Sequence, residues 1–148
     1  MKQEYINRKG RKDRKGNQEG EHDVDENGLS NMIIGAAIEV HRLLGPGLLE
    51  SAHEECLAHE MALREIPFQR QKPVPVTYKG VQLDCGFRLD FLVGGLVVVE
   101  LKAIDQLAPI HQAQVLTYLK LADCRLGLLV NFNVMRLRAG IKRMVLNL

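Results

Sequence analysis

With 148 residues, 46% of them hydrophobic, the chain suits one globular domain with one core. It has no Trp and only 5% aromatic residues, so that core must be aliphatic. The net charge of +2 and the pI near 8.5 neither indicate nor exclude a nucleic-acid partner. No apolar run approaches the roughly 18 residues of a membrane span, which argues against a membrane protein.

The beginning of the chain and its cysteines favour a cytoplasmic protein. Residues 1–5 are polar and do not resemble a signal peptide. Cys56, Cys85 and Cys124 are isolated and lack the spacing of a metal site, so we expect buried, reduced thiols.

Residues 1–28 differ in composition from the rest of the chain. A basic cluster, Arg8–Lys15, is followed by an acidic one, Glu19–Glu26, and apolar residues are nearly absent. Such a segment cannot bury enough surface to offset its ordering entropy, so we predict a flexible charged tail and a domain spanning residues 29–148. In an alternative interpretation the basic cluster binds phosphates, although the adjacent acidic block could cancel its field.

Two helices are predicted next. From Leu29, apolar residues recur at three- and four-residue spacing, with Ser30 or Asn31 as the cap and a stop at Gly45–Gly47. A second helix should run from about Leu48 to Glu65, before Pro67. Its expected inward-facing residues are Leu49, Ala52, Cys56, Leu57, Met61 and Leu63.

The remaining elements alternate strands with one helix. Strand material begins at Val74–Tyr78, turns at Lys79-Gly80 and returns at Val81–Leu83. Two further strands follow, at Phe87–Val93 and Leu96–Lys102. Pro109 opens a helix to about Ala122, whose expected buried residues are Ile110, Ala113, Leu116, Leu119 and Leu121. Last come a buried central strand, Leu126–Phe132, and a strand or short helix, Ile141–Leu148, so the order predicts an α/β sheet with helices on its faces.

The most informative pattern is Asp90 followed ten residues later by Glu100-Leu101-Lys102. Charges in or at the end of buried strands are costly unless they are paired or bind an ion. A Mg²⁺ ion held by carboxylate oxygens would explain both acids, and Lys102 points to the same face of its strand as Glu100. This pattern is typical of metal-dependent phosphodiesterases. The alternative is a structural ion pair between Lys102 and either acid.

The turn between these strands makes a testable structural prediction. A plain two-residue turn at Gly94-Gly95 would set Asp90 opposite Val99 and send Glu100 to the other side of the sheet. Shared metal binding therefore requires a three-residue loop or a bulge, and a glycine pair tolerates the positive φ that this needs.

Further motifs resemble a known family. Gly47–His53 resembles the signature of the GxxExxY proteins, which belong to the PD-(D/E)XK nuclease-like superfamily. The resemblance covers most of residues 29–146 and includes Val40–Gly47, Gly86–Phe91, Val99–Ala103, His111–Gln114 and Gly140–Arg143. It implies a single-domain restriction-endonuclease-like core, with a mixed central β-sheet flanked by α-helices. One position departs from the signature, because His53 stands where the family has Tyr.

The resemblance also implies roles at the site. Asp90 and Glu100, with the Leu101 carbonyl, would bind Mg²⁺ or Mn²⁺. Lys102 would position the attacking water or stabilise the phosphorane. Glu50 would reach the metal, usually through water; alternatively it is a helix N-terminal acid favoured by the macrodipole.

Weaker candidates surround this set. Gln114 and Tyr118 lie at i and i+4 of one helix and resemble the Gln-x-x-x-Tyr pattern of RecB-type nucleases, where the pair supports the site and the nucleic-acid backbone. Arg88 could contact a phosphate. His53 is expected more often at a surface or between helices than as a ligand, and Glu39 and His41 more often on a solvated helix face than at a site.

The leading hypothesis is a Mg²⁺- or Mn²⁺-dependent nuclease that acts on DNA, with RNA as the less favoured substrate, and that has no membrane partner. A non-catalytic nucleic-acid-binding module on the same fold is the alternative, and the His53 departure leaves it open. In a third interpretation, an interaction protein carries the triad only as an ion-pair cluster.

Overall fold

The computed structural model describes residues 24–148, so the predicted charged tail lies outside the described residues as far as residue 23. The first helix, α1, spans Glu26–Leu44 and begins three residues before the predicted domain boundary. Its cap is Asp25, whose carboxylate accepts a hydrogen bond from the Gly28 N–H at 2.8 Å. The predicted cap at Ser30 or Asn31 is wrong, because Ser30 is buried inside the helix.

The second helix, α2, spans Glu50–Leu63. It buries His53, Glu54, Leu57, Ala58 and Met61. Leu49 and Leu63, expected to face inward, are 76% and 65% exposed, so the helix is rotated from the predicted orientation. In this orientation the polar side chains of His53 and Glu54 are buried. His53 forms a hydrogen bond with the Gly45 carbonyl, and Glu54 accepts one from Arg70.

Five strands form the central sheet: β1 (Phe68–Pro73), β4 (Arg88–Val93), β5 (Val97–Lys102), β6 (Leu126–Asn131) and β7 (Ile141–Val145). Their order is β1-β4-β5-β6-β7, and only the β5–β6 pair is parallel. Helix α3 (Pro109–Ala122) makes the crossover between those two strands. A separate hairpin of β2 (Val76–Tyr78) and β3 (Val81–Leu83) turns at the predicted Lys79-Gly80.

The sheet separates two apolar clusters. Side chains of α1 and α2 pack with Phe91, Val99 and Leu128 on one side of the sheet. Side chains of α3 pack with Val98 and Leu129 on the other. All six residues of β6 are buried, as predicted, and the strand lies inside the sheet between β5 and β7. The mixed sheet with flanking helices confirms the expected restriction-endonuclease-like architecture.

Several details differ from the sequence-based expectation. Strand β1 was not predicted, since its side chains are mostly polar. In α3, Ile110 is 65% exposed and Ala113 is exposed, whereas Val115 is buried. Among the cysteines, Cys124 is buried but Cys85 is exposed.

Within residues 24–148, no helix combines the length and the apolar character that a membrane crossing needs.

Candidate active site

The loop between β4 and β5 sets the two acids opposite each other. The ladder pairs Val93 with Val97, Leu92 with Val98 and Phe91 with Val99, which leaves three residues, 94–96, in the loop. Gly94 and Gly95 adopt φ of 60° and 72°. Continued by one step, this register places Asp90 opposite Glu100. The predicted three-residue loop is confirmed, and the two carboxylates lie beside each other across the hairpin.

The two acids also replace the last hydrogen bonds of the ladder. The Asp90 N–H donates to Glu100 Oε2 at 2.9 Å, and the Leu101 N–H donates to Asp90 Oδ2 at 2.8 Å. Each side chain therefore satisfies a backbone donor of the opposite strand. These reciprocal bonds fix one oxygen of each carboxylate and satisfy backbone groups where the pairing ends.

Burial makes this arrangement electrostatically costly. Glu100 is only 9% exposed, and burial together with the nearby Asp90 charge raises the pKa of Glu100 to about 8. Burial also raises the pKa of Asp90, although the Leu101 N–H opposes that change. Two adjacent acids in a partly dry setting form a site that a cation would stabilise.

Lys102 and Glu50 lie within the field of these acids. The Lys102 charge acts to lower the pKa of Glu50, Asp90 and Glu100. Among the described residues, no ion pair joins Lys102 to Asp90 or Glu100. Glu50 begins α2, and burial followed by the Asp90 charge raises its pKa. The first turn of α2 and the segments of β4 and β5 that carry the acids thus form one electrostatic group.

Helix α3 brings Tyr118 towards the same group. Burial raises the pKa of the half-buried Tyr118 hydroxyl, and the charges of Glu100 and Asp90 add to the effect. The Phe87 ring packs edge-on against Tyr118 at a centroid distance of 6.0 Å. Gln114, one turn earlier, is exposed, and its side chain makes no hydrogen bond with another described residue. Arg88 is exposed, and its Nη1 donates to the Gln71 carbonyl at 3.4 Å.

The weaker candidates make their contacts elsewhere. His53 is fully buried, stacks on Phe132 at 4.4 Å and bonds through Nε2 to the Gly45 carbonyl at 3.1 Å. His41 bonds through Nε2 to the Val134 carbonyl at 2.7 Å and is buried, so the expected solvated position is wrong for it. Glu39 forms an ion pair of 2.9 Å with Arg42.

Two residues at the site were missed from the sequence. The Gln71 side-chain Nε2 lies 3.0 Å from Glu54 Oε2 and 3.4 Å from Asp90 Oδ1. Glu54 is buried and also accepts from Arg70 Nε at 2.9 Å. One signal for Glu54 was available, because it follows Glu50 at i+4 and so shares its helix face. Gln71 carried no signal, since its strand lacks an apolar period.

The donor set is small. No group of three or more His, Cys, Asp and Glu side chains in the described part of the chain is arranged to hold a metal. The convergent oxygen donors are the carboxylates of Asp90 and Glu100. Oxygen donors in this number are what Mg²⁺ uses when it keeps several waters.

Comparison with known proteins gives one match. The family model described as the PD-(D/E)XK nuclease superfamily matches residues 27–144. No curated protein and no solved structure gives a significant match. The matched region contains Glu50, both strand-end acids and Lys102. The chain therefore belongs to the PD-(D/E)XK nuclease superfamily.

Proposed function

We propose that the protein is a divalent-metal-dependent nuclease that hydrolyses phosphodiester bonds of DNA in preference to RNA. One observation carries this proposal: reciprocal backbone hydrogen bonds hold Asp90 and Glu100 opposite each other, with Glu100 buried and Asp90 half-buried. Superfamily membership supports it, because nucleases of this superfamily act on nucleic acid and generally use divalent metals such as Mg²⁺. The matches to the GxxExxY signature at Gly47 and Glu50 support a narrower placement near that family.

The chemistry of the donor set fits Mg²⁺ or Mn²⁺. Asp90, Glu100 and the Leu101 carbonyl would hold the ion, and Glu50 would reach it through water. Burial and the Asp90 charge raise the pKa of Glu100 to about 8, and a bound ion would offset this cost of ionising the carboxylate. When bound, it polarises a phosphoryl oxygen and lowers the pKa of a bound water.

Lys102 would place a positively charged side chain beside Asp90 and Glu100. It follows Glu100 by two residues on the same strand, so both side chains leave the strand on one face. With no ion pair to either acid among the described residues, the ammonium is available to orient the attacking water. It also stabilises the negative charge that develops on the phosphorane.

Residues around the acids would hold the substrate. Burial raises the pKa of the Tyr118 hydroxyl, and the charges of Glu100 and Asp90 add to the effect, so Tyr118 would support the site and contact the scissile strand. Gln114 and Arg88 are exposed, and each carries further N–H groups that would donate hydrogen bonds to phosphate oxygens.

The test is cleavage of labelled single- and double-stranded DNA and RNA with Mn²⁺, Mg²⁺ or EDTA. We expect cleavage with metal, none with EDTA and none in Glu100→Gln, which keeps the acceptor for the Asp90 N–H. Asp105→Asn is the matched control, since Asp105 is an exposed acid in the loop after β5. This variant should cleave at the wild-type rate.

Full activity in the Glu100→Gln variant would overturn this mechanism. A folded wild-type protein that binds DNA in a salt-sensitive way but never cleaves it would favour the binding-module alternative. Melting with excess metal separates the two outcomes, because a ligand of the folded state raises the melting temperature.

A further inference from the structure

Strand β1 departs from regular structure beside Asp90. Arg70 pairs with Phe91 and Lys72 pairs with Leu89, but the register position between them, Gln71 opposite Asp90, is left out of the ladder. Gln71 has a φ of 50°, in the left-handed region that glutamine rarely adopts. Such backbone strain persists only where surrounding contacts stabilise it, so the contacts of Gln71 indicate why this conformation is kept.

The Gln71 backbone carbonyl accepts from Arg88, whereas the hydrogen bonds of its side-chain amide go to carboxylates. The Gln71 Nε2 donates to both oxygens of Glu54, at 3.2 and 3.0 Å, and lies 3.4 Å from Asp90 Oδ1. Glu54 is 8% exposed and is held in turn by Arg70 Nε at 2.9 Å. A buried carboxylate on α2 therefore fixes the amide, and the amide faces the site acid.

The consequence for Asp90 is a defined orientation. Its Oδ2 accepts from the Leu101 N–H at 2.8 Å, and its Oδ1 faces the amide of Gln71. With one donor on each oxygen, the carboxylate plane is set from both neighbouring strands. A primary amide suits this place because Nε2 carries two hydrogens and no charge, so it can serve two acids together.

We propose that Gln71, held by Glu54, is a positioning residue that orients the Asp90 carboxylate for metal binding. The inference rests on the proposed function, since it needs Asp90 as a metal ligand. Outer residues of this kind typically change metal affinity by about 10- to 100-fold when they are removed.

The test uses Gln71→Gly, because glycine accepts the φ of 50° while removing the amide. Lys79→Gly is the matched control, since Lys79 also has a φ of 50° but lies in the exposed turn of the β2–β3 hairpin. Mn²⁺ and Mg²⁺ are titrated against the melting temperature and against cleavage. For Gln71→Gly we expect the half-maximal metal concentration to rise about tenfold in both assays, with most of the cleavage rate restored at saturating Mn²⁺.

A merely structural role predicts something else, namely a lower melting temperature without metal and an unchanged metal midpoint. That result, or a metal titration identical to that of Lys79→Gly, would overturn the inference while the proposed function stands. A wild-type protein with neither metal-dependent melting nor cleavage would overturn both. If Gln71→Gly fails to fold, Gln71→Asn makes the same comparison, because asparagine tolerates a positive φ and is one methylene shorter.

Discussion

Strand β6 and the ends of β4 and β5 belong to one sheet but satisfy their backbone groups differently. Every residue of β6 is buried, with six registered pairs to β5 and five to β7. Pairing between β4 and β5 stops after Phe91, and carboxylates take over the backbone donors. Regular aliphatic pairing stabilises the fold, whereas the irregular end holds carboxylates whose burial raises their pKa values.

The largest effect is expected from Glu100→Gln at the irregular end. Loss of a metal ligand removes several kcal/mol of transition-state stabilisation, so cleavage should fall on the order of a thousandfold. The metal-free variant should melt at a higher temperature than the wild type above pH 8, because the amide removes a buried charge beside Asp90. Single-turnover cleavage and thermal melting in EDTA measure the two effects. A variant that loses activity and also melts at a lower temperature would show that Glu100 stabilises the fold, contrary to the contrast drawn between the two regions.

At the regular strand, Leu128→Ala should act on stability alone. Leu128 is fully buried in the apolar cluster that includes side chains of α1 and α2, so its truncation should lower the free energy of unfolding by about 3 kcal/mol. Urea denaturation measures this change, and Leu49→Ala, at an exposed leucine, should change it by less than about 0.5 kcal/mol. Cleavage per folded molecule should be unchanged in both variants, and a raised metal midpoint in Leu128→Ala would show that the two regions are coupled.

The pH dependence of stability should come from the irregular end. The pKa of Glu100 is raised from 4.5 to about 8, so between these values the folded state keeps a proton that the unfolded state has lost. Stability is therefore highest below the unfolded value, falls as the pH rises through this window and levels off above it. The raised pKa values of Asp90 and Glu50 act with the same sign.

Urea midpoints in EDTA at about pH 5 and about pH 8 test this dependence. The wild type should lose stability between them, and Glu100→Gln should lose less. Added Mg²⁺ should reduce the loss, because metal binds the ionised carboxylates. Equal slopes in the two proteins would assign the pH dependence to other groups.

The smallest effect is expected at Glu39. Its ion pair with Arg42 is exposed and lies one turn apart on α1, and such pairs contribute little. Glu39→Gln should leave cleavage, metal midpoint and melting temperature unchanged. A loss of cleavage in this variant would show that Glu39 contributes to the active site.

Sequence reasoning located the parts of the site that local pattern determines. Asp90, Glu100 and Lys102 stand out because charged residues interrupt apolar strands, and the required loop length follows from side-chain alternation. Strand β1 carries no such pattern, since its role depends on pairing with a strand almost twenty residues away. Gln71 therefore could not be found without the fold.

The buried face of α2 was missed for a related reason. Hydrophobicity favours Leu49 and Leu63 as inward residues, whereas the helix buries His53 and Glu54. These polar side chains are tolerated because Phe132 stacks on one and Arg70 pairs with the other. Both partners are distant in sequence, so the burial of this helix face depends on tertiary contacts rather than on the periodic spacing of apolar residues.

The three-residue loop at 94–96 has a consequence for how the chain can change in length. Surface loops ordinarily tolerate insertions and deletions, since added length costs little entropy. Here the loss or gain of one residue would shift the register by one and turn Glu100 away from Asp90. Gly94 is restricted further, because a Cβ there would meet the Leu29 side chain at 2.7 Å. A turn several residues from the acids is thus expected to keep its length among active relatives, while loops elsewhere in the fold vary.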